Sequence, residues 1–245
     1  MLDTDQGANT FRLATCSHSP ARETNVLPFT VEQFFVVFTR YNTAVWPAQV
    51  AAYVAGAIAL ALALGGGALA RRWVAAVLAA MWLWTGIAYH LLHFAPINPA
   101  ARLFGAAFVL QGALFAVAAL RKRWLVFGDP ALRLRSGFGL FLVSYATVLY
   151  PLLGRLLGHS WAEIPSFGVT PCPLTIFTFG LLLLARSPVP WWLLAVPAGW
   201  SIIGGSAAVL LAVPQDWMLL LGGLGATAAL LRSPRHRTRS EPHVA

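Results

Sequence analysis

Long apolar runs, separated by short polar or basic breaks, dominate the chain from residue 44 onward. Several of these runs approach 20 residues and are nearly free of charge, which is typical of helices that cross a bilayer. The pattern predicts an all-α integral membrane protein with about seven crossings in one domain over residues 27–231. The predicted crossings are Ala44–Leu64, Trp73–Phe94, Ala100–Leu120, Gly137–Leu157, Pro173–Ala185, Trp191–Val213 and Trp217–Leu231.

The segment before the first crossing has a different pattern. Residues 1–26 are polar and lack the apolar core of a signal peptide, so we predict a mobile N-terminal extension. Thr30 and Gln33 form a capping-box pattern at the start of a helix within residues 27–42. Its aromatic face consists of Phe34, Val37, Phe38 and Tyr41. This helix is either one that lies in the membrane interface or an extension of the first crossing.

The fifth predicted crossing is too short to span the membrane as a helix. Its 13 residues from Pro173 to Ala185 give about 20 Å of helix, against a hydrocarbon core of about 30 Å. The preceding residues 164–172 contain prolines and a glycine, so we predict non-helical chain there. Pro173 would be the first helical residue, and Cys172 would lie at the helix N-terminus, where the partial positive charge favours a thiolate.

Composition supports a membrane protein. Of the 245 residues, 58% are hydrophobic and only 10% are charged, whereas ordinary soluble domains have about 25% charged residues. A water-soluble fold of this size could not bury so much apolar surface. The lipid bilayer is therefore the first predicted partner.

The formal net charge of +9 suggests nucleic-acid binding, but the basic residues lie in short clusters between apolar runs. Cytoplasmic loops of membrane proteins are rich in Lys and Arg. With the N-terminus outside, 12 of the 17 basic residues are cytoplasmic, namely Arg71, Arg72, Arg121, Lys122, Arg123, Arg133, Arg135, Arg186, Arg232, Arg235, Arg237 and Arg239. We therefore predict an N-out, C-in protein of a bacterial inner membrane, with a basic cytoplasmic tail over residues 232–245 and no nucleic-acid partner.

Two segments resemble those of a known family. They are Leu27-Pro-Phe-Thr-Val-Glu-Gln-Phe-Phe35 and Phe167-Gly-Val-Thr-Pro-Cys-Pro-Leu-Thr-Ile-Phe-Thr-Phe-Gly180. Both are similar to segments of an uncharacterised bacterial membrane-protein family, domain of unknown function 6064. The resemblance covers residues 27–231 and implies a multi-pass protein without implying any chemistry.

Cys172 and three nearby threonines form the first candidate site. Thr170, Thr175 and Thr178 carry hydroxyl groups around the start of the short helix, and broken helices supply the binding sites of many transporters. The leading hypothesis is a permease-like protein that handles a small solute or ion through an outward-facing cavity near Cys172. The alternative is a loop that only caps a short helix, with Cys172 as a small buried hydrophobe.

Histidines and a carboxylate on the same predicted side form the second candidate site. His90 and His93 lie three apart near the outer end of the second crossing, and His159 and Glu163 lie in the loop before Cys172. With Cys172 they would form a ligand set for zinc, copper or another soft divalent ion. A metal- or cofactor-binding membrane protein is therefore the second hypothesis. Interfacial histidines and a solvated loop pair account for the same residues without a metal.

Missing motifs argue against an enzyme. The sequence has no P-loop, GxSxG or HExxH pattern. Every Asp and Glu falls outside the predicted crossings, whereas proton-driven carriers use an ionisable group within the membrane. A third hypothesis is a scaffold subunit of a membrane complex, held together by helix faces of small residues.

Overall fold

The computed structural model describes residues 27–121, 124–128, 134–211 and 213–232. The described residues form eight helices and no strand. The helices are α1 Val31–Ala44, α2 Ala48–Gly65, α3 Gly67–Phe94, α4 Ala101–Leu120, α5 Leu134–Leu156, α6 Pro171–Leu184, α7 Trp192–Leu210 and α8 Trp217–Leu231. The predicted N-terminal extension (residues 1–26) and all but the first residue of the predicted basic tail lie outside the described residues.

Five helices, α2, α3, α4, α5 and α7, are long and apolar enough to cross a membrane, with 18 to 28 residues each. They identify the chain as a helical membrane protein. The remaining two predicted crossings are also helical, but α6 has 14 residues and α8 has 15. Seven crossings therefore stay a prediction, whereas five helices of spanning length are present in the part of the chain that the structure describes.

Helix α6 lies at the centre of the bundle. All 14 of its residues are buried, and it packs against α2, α3, α5, α7 and α8. Its sequence is apolar on every side, which is typical of a helix enclosed by others. Since neighbouring helices surround it, α6 does not need the length of a lipid-exposed span. Residues 157–170 before it are non-helical, as predicted for residues 164–170.

The start of α6 differs from the prediction by two residues. The helix begins at Pro171, not at Pro173, and Thr170 is its extended N-cap residue with φ −124° and ψ 155°. Pro171 and Pro173 both fall in the first turn, where backbone amides have no intrahelical acceptor. Both prolines therefore fit inside the helix, and Cys172 lies between them in its first turn.

Helix α1 is a separate element that supports the chain before α6. It has the predicted capping box between Thr30 and Gln33, and its predicted aromatic face is buried. It ends at Ala44, and α2 begins at Ala48, so α1 is not a continuous extension of the first crossing. Its location in the membrane interface stays a prediction.

Two of the long helices contain π-helical stretches. They are Thr85–Phe94 at the end of α3 and Tyr145–Leu149 within α5. A π-helix bonds each residue to the fifth one along the chain, so it has a wider turn than an α-helix and brings different side chains onto one face. Such stretches occur frequently at functional sites, and both of these carry residues of the site described next.

Candidate functional site

A buried carboxylate lies in the turn between α7 and α8. Asp216 ends the short 3₁₀ turn Pro214–Asp216, and its side chain is 1% exposed. The Tyr150 hydroxyl donates a hydrogen bond of 2.7 Å to its Oδ1 atom, and the Cys172 thiol lies close enough to hydrogen-bond with it. Neither partner is cationic. The carboxylate therefore has hydrogen bonds but no opposite charge among the side chains that interact with it.

Burial controls the ionisation of this carboxyl group. Loss of hydration raises the pKa of Asp216 from 3.8 to about 7, although the hydrogen bonds from Tyr150 and Cys172 oppose the change. Asp216 therefore holds its proton up to near neutral pH. Along the chain, Asp216 falls outside the predicted crossings like every other acidic residue. Its position in the sequence does not indicate that its turn is folded into the protein.

Two tyrosines of α5 hold this turn. The Tyr145 hydroxyl donates to the backbone carbonyl of Gln215 at 2.9 Å, next to the bond from Tyr150 to Asp216. The two tyrosines are five residues apart, and the π-helical stretch between them bonds the Tyr150 amide to the Tyr145 carbonyl. In a regular α-helix, residues five apart point in different directions, so the π stretch lets both hydroxyls reach the same turn.

Cys172 interacts with this carboxylate and also lines a partly open cavity of about 140 Å³. The cavity lies between α1, the π stretch of α3, α6 and α7. Its walls are mainly apolar, and their aromatic residues include Phe34, Phe38, Tyr89, Phe94, Phe104 and Trp200. Polar groups are few, with Asn98 and Ser206 beside Cys172. The indole N–H of Trp200 is buried, and the acceptor nearest to it is the sulfur of Cys172, which accepts hydrogen bonds only weakly. The cavity therefore offers a small solute an indole donor that is held only by a weak acceptor.

The predicted solute-binding threonines have internal roles. The hydroxyls of Thr170, Thr175 and Thr178 donate to the carbonyls of Ser166, Pro171 and Leu174, each at 2.8 Å. The Thr178 hydroxyl also accepts a bond of 3.0 Å from the indole of Trp82. All three threonines are fully buried, and none lines the cavity. Of the four residues predicted to bind a solute, only Cys172 lines the cavity.

The two histidines of α3 have different environments. His90 is fully buried against Phe108 and Trp200, and neither of its ring nitrogens has a hydrogen-bond partner. His93 is only partly buried, and its Nδ1 lies 2.7 Å from the Ala88 carbonyl. His90 and His93 were predicted to share a helix face because residues three apart do so in an α-helix. In the π-helical stretch the turn is wider, so the two side chains point in more different directions.

The other predicted ligands lie on the loop after α5, and both are only partly buried. The His159 ring stacks on Phe35 at 4.3 Å between centroids, and the Glu163 carboxylate accepts a 2.7 Å bond from the Ser160 amide. The structure does not bring these two together with the buried Cys172 and His90. Within the described ranges, no group of three or more His, Cys, Asp or Glu side chains is placed to hold a metal ion.

Cys172 also differs from the expected thiolate. It is 6% exposed and lies beside the Asp216 carboxyl group. Burial and a neighbouring acid both disfavour a negative charge on the sulfur, and together they outweigh the partial charge of a helix N-terminus. The thiol acts here as a hydrogen-bond donor and as part of the cavity wall.

Fold and site together define a helical membrane protein with a buried carboxyl group beside Cys172, which also lines an apolar cavity. The chain belongs to the family of unknown function DUF6064, whose model matches residues 31–241. This match confirms the resemblance found in the sequence. No curated protein and no solved structure matches the chain.

Proposed function

We propose that this protein is permease-like and handles a small solute in the aromatic cavity beside Cys172. One observation supports the proposal most directly, namely that the cavity wall contains the buried indole N–H of Trp200 with only the Cys172 sulfur as its acceptor. Sulfur is a weak hydrogen-bond acceptor. A solute with an oxygen or nitrogen acceptor would give the indole a stronger hydrogen bond.

The size and lining of the cavity define the solute class. A dry cavity of about 150 Å³ accepts a molecule the size of benzene, and the present one has about 140 Å³. The walls are mainly apolar, with several aromatic rings, and no Lys or Arg lines the cavity. The proposed solute is therefore a small, largely apolar molecule with one hydrogen-bond acceptor, not an anion.

In this proposal, the solute enters and leaves the cavity from the side of the membrane that the charge distribution predicts to be external. Leu27 and Phe29 line the cavity together with Phe34 and Phe38 of α1. Helix α1 is not one of the five helices of spanning length, so it can move without breaking a crossing. In this proposal, α1 is the element that opens the cavity of an inner-membrane, N-out protein.

The experiment is a binding screen with the purified full-length protein, using small neutral molecules of up to about ten non-hydrogen atoms and native mass spectrometry. Ala207 lines the cavity, so Ala207→Phe fills it. Trp200→Phe removes the indole N–H and keeps an aromatic wall. Ala61→Phe on the exposed face of α2 is the matched control.

We expect at least one molecule to bind the wild type and Ala61→Phe equally, to be lost in Ala207→Phe, and to bind Trp200→Phe about tenfold more weakly. Uptake of that molecule into vesicles containing the protein then tests transport. Binding that survives in Ala207→Phe, or a screen without any bound molecule, would contradict the proposal and favour a scaffold subunit.

A further inference from the structure

A second and larger cleft lies where the turn between α1 and α2 meets the loop before α6. Its volume is about 540 Å³. Its aromatic lining consists of Trp46, Tyr53, Trp161 and Phe167. Trp46 and Trp161 are 68% and 63% exposed, so the cleft is open to ligands.

Two amide side chains form the polar part of this cleft. The Asn42 Nδ2 atom donates to the carbonyls of Ala162 and Ile164 at 2.8 and 2.9 Å, and the Gln49 Nε2 atom donates to the Asn42 carbonyl at 2.7 Å. A carbonyl oxygen can accept a hydrogen bond from the NH₂ group of a side-chain amide but not from its oxygen. These bonds therefore fix which end of each side-chain amide is nitrogen and which is oxygen.

The fixed orientation leaves two acceptors without donors. Asn42 Oδ1 and Gln49 Oε1 are buried and have no hydrogen-bond partner, and Asn42 is only 7% exposed. Buried acceptors without donors are uncommon in folded proteins. Both residues line the cleft. The two oxygens are spare acceptors that match a ligand rich in N–H donors, and because neither has accessible surface of its own, the lining side chains must shift slightly for a ligand to reach them.

The electrostatic character of the walls further limits which ligands the cleft can bind. No Lys, Arg or His is among the residues that line the cleft in the described chain, whereas aromatic faces attract cations. The guanidinium of Arg155 lies 5.5 Å from the Trp161 ring centroid. Since Arg155 also donates to the His159 carbonyl, it is held by the loop and does not line the cleft.

We propose that this cleft binds a primary ammonium group, with its N–H donors on Asn42 and Gln49 and its charge against the aromatic rings. This site is separate from the cavity beside Cys172 and does not depend on the proposed function. A quaternary ammonium has the same charge but no N–H, so it cannot satisfy the two oxygens. The ammonium belongs either to an aminophospholipid headgroup or to a free amine.

Two matched pairs of probes test this proposal on the purified full-length protein. Phosphatidylethanolamine and phosphatidylcholine with identical acyl chains are compared by native mass spectrometry, and ethanolamine and choline by calorimetry. We expect the ethanolamine member of a pair to bind about tenfold more tightly than the choline member. A preference in the lipid pair alone identifies a headgroup, and one that extends to the free pair identifies a soluble amine.

Variants locate the binding site. Gln49→Leu removes one acceptor, and Trp161→Ala removes one ring. Trp191→Ala is the matched control, because Trp191 is also 63% exposed and does not line the cleft. We expect the ethanolamine preference to fall about tenfold in both cleft variants and to persist in the control.

Equal binding of ethanolamine and choline probes, absence of binding, or full preference in both cleft variants would overturn the proposal. Melting temperatures show whether each variant folds. If Gln49→Leu does not fold, Trp161→Ala still decides the outcome, since its side chain is mostly exposed and contributes little to the core.

Discussion

At the scale of single residues, the non-helical chain before α6 is held by side chains from α1. Tyr41 donates to the Val169 carbonyl at 2.6 Å, and Asn42 donates to two carbonyls of the same segment. Backbone carbonyls buried in a membrane protein have no water to bond with, so each needs a protein donor. These bonds allow irregular chain to pack within the bundle.

Asn42 provides a test of this role. We expect Asn42→Leu to lower the free energy of unfolding by about 1–3 kcal/mol, because it leaves the buried Ile164 carbonyl without its donor. Thr43→Val, at the exposed neighbouring position, should change it by less than about 0.5 kcal/mol. Denaturant titration in detergent measures both. Equal effects of the two substitutions would show that Asn42 does not support the loop.

Asp216 gives the protein a dependence of stability on pH. Its pKa is raised from 3.8 to about 7 on folding, so the folded state binds the proton more tightly than the unfolded chain. This stabilisation is complete below about pH 4 and is lost as the pH rises through 7. We expect the melting temperature to fall between about pH 4 and pH 8, and Asp216→Asn to reduce the slope.

Glu163→Gln is the control for that measurement. Glu163 is only partly buried, and the hydrogen bond from the Ser160 amide lowers the pKa of its carboxyl group, so it stays ionised above about pH 5. Its removal should leave the slope between about pH 5 and pH 8 unchanged. A slope that Asp216→Asn does not alter would contradict the assignment of the titrating group.

At the scale of helices, α6 depends on close contact with its neighbours. A Cβ atom added at Gly180 would lie 2.8 Å from the Gly139 carbonyl oxygen of α5, and one added at Gly139 would lie 2.8 Å from the Gly180 oxygen. Small residues at such crossings let backbones approach and increase van der Waals contact, which is a main source of helix association in membranes.

Gly180→Ala tests this contact. We expect it to lower the free energy of unfolding by about 1–3 kcal/mol, because the added methyl group also lies 2.7 Å from the Val143 side chain. Gly199→Ala in α7 is the matched control, since a Cβ there meets no atom within 4 Å. It should be neutral or slightly stabilising. A Gly180→Ala protein as stable as the wild type would exclude a tight α5–α6 crossing.

At the scale of the whole molecule, α6 is surrounded by longer helices and carries Cys172 at one end. The Arg135 side chain donates to the Ala185 carbonyl at 3.0 Å at the other end, where a cation interacts favourably with the last carbonyls of a helix. The two ends of the central helix are therefore chemically different. The end near Arg135 is the one that the charge distribution predicts to be cytoplasmic.

Topology mapping tests that orientation. A reporter fused after Arg239 should be active in the cytoplasm, since the charge distribution predicts an N-out, C-in protein. A Ser160→Cys variant without the native cysteines should react with a membrane-impermeant maleimide added from outside. The opposite result at both positions would reverse the orientation, and the same side for both positions would exclude an odd number of crossings between Ser160 and the C-terminus.

Much of the fold was predictable because it depends on local pattern. The capping box at Thr30 and Gln33 and the buried face of α1 follow from residues within one or two turns of each other. The two-residue error at Pro171 arose because either proline can occupy a first turn. The π stretches were not predicted, since nothing in the apolar pattern near Tyr145 distinguishes them from α-helix.

The candidate site was predictable only in part. Cys172 could be selected from its position at a helix start, but its partners Tyr150 and Asp216 are 66 residues apart in the chain. A Pro-Gln-Asp turn between two apolar helices was the available signal for Asp216. The histidines were grouped on a predicted shared side, and packing placed His90 inside the bundle and His159 on its exposed loop.

The length of an apolar run and its charge are read directly from consecutive residues, without knowledge of the fold. The amino-acid pattern alone therefore establishes a helical membrane protein and the approximate positions of its helices. Burial cannot be read in this way, because it depends on which segments meet in space. Only packing decided that α6 is enclosed, that the Asp216 turn is folded inward, and that Asn42 and Gln49 each retain an unpaired amide oxygen. Both proposed binding sites depend on these contacts between distant segments.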